Sequence, residues 1–239
     1  MENQPMTQSV QSKGGNSTQW LAIAIIVASV LISGSILYSK NSGGVANNNN
    51  NGGNQLPTVD ISKVKMQGDP YVGDMNAPVV VAVWADYQCP FCKRFEEDSI
   101  SQIYEEYVVS GKVRVIFKDY AFLGNDSETA ALAARAVWEV APAKFYQWHQ
   151  AMYTKQDDEN GGWGVKADIL ALTQTLGIDS NKVGQLMTSK QTEYQQAIDA
   201  AKAEGISFGI NGTPGTIIGD QLISGAQPYT QVKAAVETA

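Results

Sequence analysis

Val79-Val80-Val81-Ala82-Val83-Trp84-Ala85-Asp86-Tyr87-Gln88-Cys89-Pro90-Phe91-Cys92 is the stretch that decides the fold. Its first seven residues are an unbroken apolar run, the signature of a strand covered on both faces. Its last four hold the only two cysteines of the 239-residue chain. They open a helical pattern that runs from about Pro90 to Val109, with Phe95, Ile100, Ile103, Tyr104 and Tyr107 on one side and a stop at Ser110-Gly111. A lone Cys-X-X-Cys where a strand gives way to a helix reads as a redox site. A thiolate there faces unpaired backbone N–H groups and the positive end of the helix dipole, and both lower its pKa. Pro90 falls in the first turn, where a missing N–H costs nothing.

Downstream, Val113 to Phe117 reads as a second strand, parallel to the first because a helix lies between them. Helical patterns follow at Asp126 to Val140, Pro142 to about Tyr153, Val165 to Leu176, Asp179 to Met187 and Thr192 to Glu204, with a polar, Gly-rich loop at Asp157 to Gly164. Thr216 to Ile218 and Gln221 to Ile223 flank Gly219-Asp220, a hairpin signal. Pro228 starts a last helix with Tyr229, Val232 and Val236 on one face. The class is α/β.

Upstream, residues 1–19 are polar, and Trp20 to Tyr38 is apolar and uncharged. Those 19 residues at ~1.5 Å each would span roughly 28 Å, close to the ~30 Å hydrocarbon core of a bilayer. The expectation is a single transmembrane helix over 20–38, joining a cytoplasmic segment 1–19 to a flexible Asn/Gly-rich linker over 39–56. A cleaved signal peptide is the alternative, against which stand the length of the apolar run and a weak cleavage site at Ser33-Gly34-Ser35. Lys13 and the amino terminus are balanced by Lys40, so charge alone does not set the topology. A hydrophobic content of 44% is enough to bury a core. The net charge of −7, with no basic run longer than Lys93-Arg94, excludes nucleic acid as a partner. Two cysteines this close cannot staple distant parts of a fold, so their value is chemical.

Asp86-Tyr87-Gln88-Cys89-Pro90-Phe91-Cys92, with Thr213-Pro214-Gly215-Thr216 just before a strand, resembles the DsbA-like branch of the thioredoxin superfamily. The resemblance covers about residues 65–239. It implies a thioredoxin-like domain over 57–239 with a helical insertion at about 125–207, approached through Asp69-Pro70 and Gly73 to Pro78. It also implies an exposed nucleophile at Cys89, a resolving partner at Cys92, and a cis Pro214 whose Thr213 backbone pairs with extended substrate. Pro90 and Phe91 are expected to tune the potential, and Phe91 departs from the histidine common in the best-known DsbA proteins. Many thioredoxin-like proteins carry an acid in the strand before the motif; here Val81, Ala82 and Val83 are apolar.

Other polar residues have plainer readings. Asp86 reads as a solvated cap, with a proton-relay role as the alternative. Lys93 and Arg94 are opposed by Glu96, Glu97 and Asp98, so their effect on Cys89 has no assigned sign. His149, the only histidine, reads as a packed side chain among Phe145, Trp148 and Met152. Trp84 and Trp138 read as core, and Trp163 as a loop residue that could line a substrate surface. Cys89, Cys92 and one distant histidine make no zinc set, so neither metal nor cofactor is expected.

These features point to a membrane-tethered, extracytoplasmic thiol-disulfide oxidoreductase that introduces disulfides into exported proteins through Cys89. A monomer is expected, with reduced or unfolded exported proteins as substrates. The resemblance implies a quinone-coupled membrane reoxidant of the DsbB type. A disulfide isomerase or reductase of the same fold, or a tethered non-redox binding module, is the alternative.

Overall fold

The computed structural model describes residues 59–159 and 161–239. The expected segments 1–19, 20–38 and 39–56 lie outside the described residues. Among the described residues no helix is long and apolar enough to cross a membrane.

The centre is a five-stranded sheet of β1 (Tyr71–Val72), β2 (Val79–Ala85), β3 (Val113–Asp119), β4 (Gly215–Ile218) and β5 (Gln221–Ser224), in the order β1-β3-β2-β4-β5. β2 is parallel to β3, with Val81 opposite Val115, and antiparallel to β4, with Val83 opposite Thr216. Between β2 and β3 runs α1, a continuous helical stretch made of Pro90–Phe95, Glu96–Ile100, Ser101–Ile103 and Tyr104–Val108, the second and fourth pieces with π geometry. Among the described residues, five α-helices separate β3 from β4: α2 (Asn125–Val140), α3 (Phe145–Lys155), α4 (Lys166–Thr175), α5 (Ser180–Ser189) and α6 (Gln191–Ser207). The last helix, α7, spans Tyr229–Thr238.

The apolar run of β2 follows from its position. Val81 and Val83 face a core shared with α1, α7 and the inserted helices, whereas Ala82 and Trp84 face a second cluster with Val64, Tyr120, Ile210 and Leu222. Alternate residues of a strand point to opposite faces, so a strand covered on both must be apolar throughout. Trp84 is fully buried and its indole N–H donates to Ala201 O at 2.8 Å. Gly205 is what lets α6 come this close: a Cβ there would stand 2.8 Å from the Trp84 ring.

The pairs of strands on either side of α1 and in the hairpin sit where the sequence puts them, within a residue or two. The short β1 is new. It pairs antiparallel with β3, Tyr71 opposite Ile116. Two residues between Pro70 and Gly73 (φ 103°) carry no periodicity that a pattern could register.

Charges also lie inside the fold. Lys118 of β3, 4% exposed, bridges Asp69 and Glu204, the latter at 2.7 Å, and donates to Lys65 O at 2.7 Å. Arg135 of α2 holds Asp69 at 2.8 Å and Asp119 at 2.7 Å. The network ties the segment before β1 to the sheet, α2 and α6, and each carboxylate has a counter-ion. Removing one cation leaves buried carboxylates uncompensated, the case in which a buried pair matters most. Arg135→Ala is therefore expected to lower the unfolding free energy by about 3–5 kcal/mol, read as a shift of the urea midpoint. A change under ~1 kcal/mol would mean that the network is solvated like a surface pair.

Candidate active site

Cys89 is the N-cap of α1 (φ −77°, ψ 118°) and Pro90 follows in its first turn. The Cys89 carbonyl accepts from Cys92 N at 3.0 Å and Lys93 N at 3.2 Å, which closes the first turn and leaves the sulfur at the helix entrance. Both cysteines are free thiols. Cys92 lies on the inward side of α1, 2% exposed.

Their environments push the two thiols in opposite directions. The Cys92 thiol, backed by its own backbone N–H, that of Phe91 and the Thr213 side chain, outweighs burial and lowers the Cys89 pKa from 9.0 to about 6. Burial, reinforced by the adjacent Cys89, pushes Cys92 well above the ordinary thiol value. The result is one thiolate and one thiol near neutral pH.

Opposite the cysteines, the Thr213-Pro214 peptide is cis. The Thr213 carbonyl lies 3.5 Å from Cys89 Sγ and accepts from it when the thiol is protonated, and the Thr213 hydroxyl is buried. Pro214 shares with Cys92, Glu96, Phe117, His149 and Tyr153 the lining of a cavity of about 10 Å³. The six residues singled out beforehand, Cys89, Pro90, Phe91, Cys92, Thr213 and Pro214, thus fall at or beside one end of α1. Phe91 is the outlier, 54% exposed with the Arg94 guanidinium 5.1 Å from its ring centre.

Two readings need correction. Cys89 is not an exposed side chain: it is 4% exposed, because the Thr213-Pro214 loop and the neighbouring thiol cover it. Asp86 is not a solvated cap. It is 2% exposed and accepts from Gln88 N at 2.8 Å, Ser127 Oγ at 2.7 Å, Phe122 N at 2.9 Å and Leu123 N at 3.3 Å. Its carboxylate replaces missing backbone partners in two loops at once, so it shapes the turn that carries Cys89.

Around this turn the structure places polar residues that the pattern did not single out. Tyr87 OH meets His149 Nδ1 at 2.8 Å, and His149 Nε2 lies 3.4 Å from Glu96, which also accepts from Tyr146 OH at 2.8 Å. Gln88 Nε2 donates to Trp163 O at 3.2 Å. Gln156 Nε2 donates to Tyr87 O at 2.7 Å and Cys89 O at 3.1 Å. Lys93 reaches Gln156 O at 3.2 Å and Arg94 lies over Phe91, so both cations are engaged away from the sulfur. Nothing in spacing marks Gln156, because its partners are backbone atoms 67 and 69 residues away. Glu96 could have been flagged, as it falls on the same helix stripe as Cys92, Ser99 and Ile103.

The profile of the family described as Thioredoxin matches residues 65–238. The chain belongs to the thioredoxin family. It is 27% identical over 175 residues to disulfide bond formation protein D of Bacillus subtilis (strain 168), covering 72% of this chain and 77% of that one. The probable disulfide bond formation protein D of Bacillus anthracis is 23% identical over 228 residues, 94% of this chain and 97% of that one. Among solved structures, oxidised BdbD from B. subtilis superposes with a TM-score of 0.68 at 25% identity, over 77% of this chain and 98% of that one. The thiol-disulfide exchange protein α-DsbA2 from Wolbachia pipientis does so at 0.63 and 28%, over 72% and 87%. With the cysteine pair in place, this family member is a thiol-disulfide oxidoreductase.

A thiol pKa of about 6 in the fold against an ordinary 9.0 fixes how the reduced protein responds to pH. The folded pKa is depressed, so the thiolate stabilises the reduced fold; this contribution is full above the ordinary value and is lost as pH falls through about 6. Thiolate absorbance should titrate with a midpoint near 6, and the unfolding free energy of the reduced protein should rise with pH through the interval above it. Cys89→Ala is expected to abolish both responses. A midpoint near that of an ordinary thiol would contradict the site as described.

Proposed function

We propose that this chain is a membrane-tethered, extracytoplasmic oxidase that introduces disulfides into exported proteins through Cys89. The observation that supports it is the opposed pair of thiols: a Cys89 held at about 6 beside a Cys92 pushed well up. Stabilising the Cys89 thiolate stabilises the reduced enzyme, and a pair whose reduced form is favoured gives its disulfide away.

In the oxidised enzyme a substrate thiolate attacks Cys89 Sγ. The Cys89–Cys92 bond breaks, a substrate–Cys89 mixed disulfide forms, and the electron pair leaves on Cys92, which takes up a proton because its buried site disfavours charge. A second substrate thiolate then attacks the substrate sulfur of the mixed disulfide. The substrate disulfide forms, and Cys89 departs as the thiolate that the α1 N–H groups receive. Two electrons have passed to the cysteine pair. A quinone-coupled membrane protein of the DsbB type would restore the disulfide. Thr213, whose carbonyl adjoins Cys89, is suited to pair with an extended substrate backbone at the point of attack. The enzyme acts as a monomer, and residues 20–38 hold it to the membrane with the catalytic domain outside.

The reduction potential tests the direction of electron flow. A pair with this thiolate is expected above the ~−270 mV of thioredoxin and below the ~−120 mV of DsbA. A value at or below that of thioredoxin would overturn the oxidase reading in favour of a reductase, and efficient refolding of a scrambled substrate would favour an isomerase. Cys89→Ser should abolish oxidation of a reduced substrate; full retention would support the binding-module alternative. The tether has its own test. The full chain should stay with the membrane through alkaline extraction and lose its catalytic domain when protease is added to intact spheroplasts. Release of a shortened soluble form would indicate a cleaved signal peptide.

A further inference from the structure

We propose that Gln156, at the C-terminal end of α3, is a positioning residue for thiol-disulfide exchange: its carboxamide holds the Tyr87 and Cys89 carbonyls so that the first N–H groups of α1 stay aimed at the Cys89 sulfur. It acts through the backbone and does not touch the reacting atoms. The proposal rests on the oxidoreductase activity of the site and is independent of the direction of electron flow.

The side chain is 7% exposed, and its Nε2 supplies two diverging N–H donors. One goes to Tyr87 O at 2.7 Å and the other to Cys89 O at 3.1 Å. The residue is itself fixed at both backbone ends, its N–H to Tyr153 O at 3.1 Å and its carbonyl to Lys93 Nζ at 3.2 Å. A neutral amide anchored in the helical insert thereby spans the turn and the first turn of α1.

Cys89 is where such a hold matters. Its carbonyl belongs to a Cys-Pro peptide that has no N–H, so this carbonyl is the peptide's one polar handle. It already takes the N–H groups of Cys92 and Lys93, and the Gln156 amide is its third partner. The Phe91 and Cys92 N–H groups lower the Cys89 pKa only while the turn keeps them directed at the sulfur. During exchange the sulfur changes from thiolate to mixed disulfide to disulfide while the backbone must stay in place. Other contacts from the insert reach the neighbouring side chains, Tyr87 through His149 and Gln88 through Trp163. Gln156 alone of these three bonds to the Cys89 peptide itself.

The test compares Gln156→Met, a neutral side chain of similar length without donors, with Gln156→Ala, which leaves room for water to reach both carbonyls. Both are made in the full chain in detergent, with Cys92, Lys93, Asp86, Tyr87, His149 and Tyr153 unaltered. Gln156→Met is expected to raise the thiolate midpoint by about one unit, a tenfold change in proton affinity. It should also lower the reduction potential at neutral pH by about 20 mV, the equivalent of about fivefold at ~30 mV per tenfold. Gln156→Ala should shift both in the same direction by less. A midpoint that stays near 6 in whichever variants fold, with only the melting temperature reduced, would overturn the proposal and leave Gln156 as a structural residue. A low wild-type potential would instead overturn the oxidase reading while the midpoint shift still reported on Gln156.

Discussion

A thiolate at a helix entrance survives only if the turn beneath it is held still, and the Asp86-to-Cys89 turn depends on partners from outside its own chain segment. Its carboxylate bonds the Phe122-Leu123 loop and Ser127, its tyrosine meets His149, and two of its carbonyls take the Gln156 amide. Each is a buried polar group that would carry a desolvation cost if unpaired. The helical insert supplies most of these partners. It therefore does more than enlarge the domain: the active-site turn and the insert satisfy one another.

The sheet explains why those partners arrive from so far along the chain. β2 delivers the turn, β3 beside it delivers the Phe122 loop, and β4 on its other side delivers Thr213 and Pro214. The turn thus sits where connections from both neighbouring strands converge, at the carboxyl end of a strand in an α/β sheet. Covering that end brings Cys89 to 4% exposure while its sulfur still adjoins the Thr213 carbonyl. The site is covered rather than an exposed tip, with the Thr213 carbonyl beside the sulfur.

Much of this was legible in residue order. The apolar run of β2, the helix stop at Ser110-Gly111 and the Gly219-Asp220 hairpin are local signals, and local signals place local elements. The cysteine pair and the Thr213-Pro214 step were readable because each is a motif contained in four residues. What escaped was every contact between distant polar groups. Asp86 read as a surface cap because acids at strand ends are commonly solvated, whereas the Phe122-Leu123 loop and Ser127 close over it. Lys118, Arg135 and Asp69 look like ordinary surface charges until β1, β3 and α2 meet. Gln156 is one polar residue at the edge of a polar loop, and its meaning lies in two carbonyls on another element.

The absence of an acid in β2 gains a physical account from the same contacts. Val81 and Val83 face the main core, so a carboxylate there would need its own buried partner. The polar groups near Cys92 come instead from helices: Glu96 from α1, one turn beyond the cysteine, and Tyr146, His149 and Tyr153 from α3. Glu96 accepts from Tyr146 and lies 3.4 Å from His149 Nε2, and His149 Nδ1 meets the Tyr87 hydroxyl. Cys92 thus sits beside a buried set whose members answer one another's hydrogen bonds, while the strand beneath stays wholly apolar. The helix stripe that buries Cys92 also brings Glu96 inward, so the polarity around the second cysteine follows from the amphipathic register of α1 and the insert packed against it.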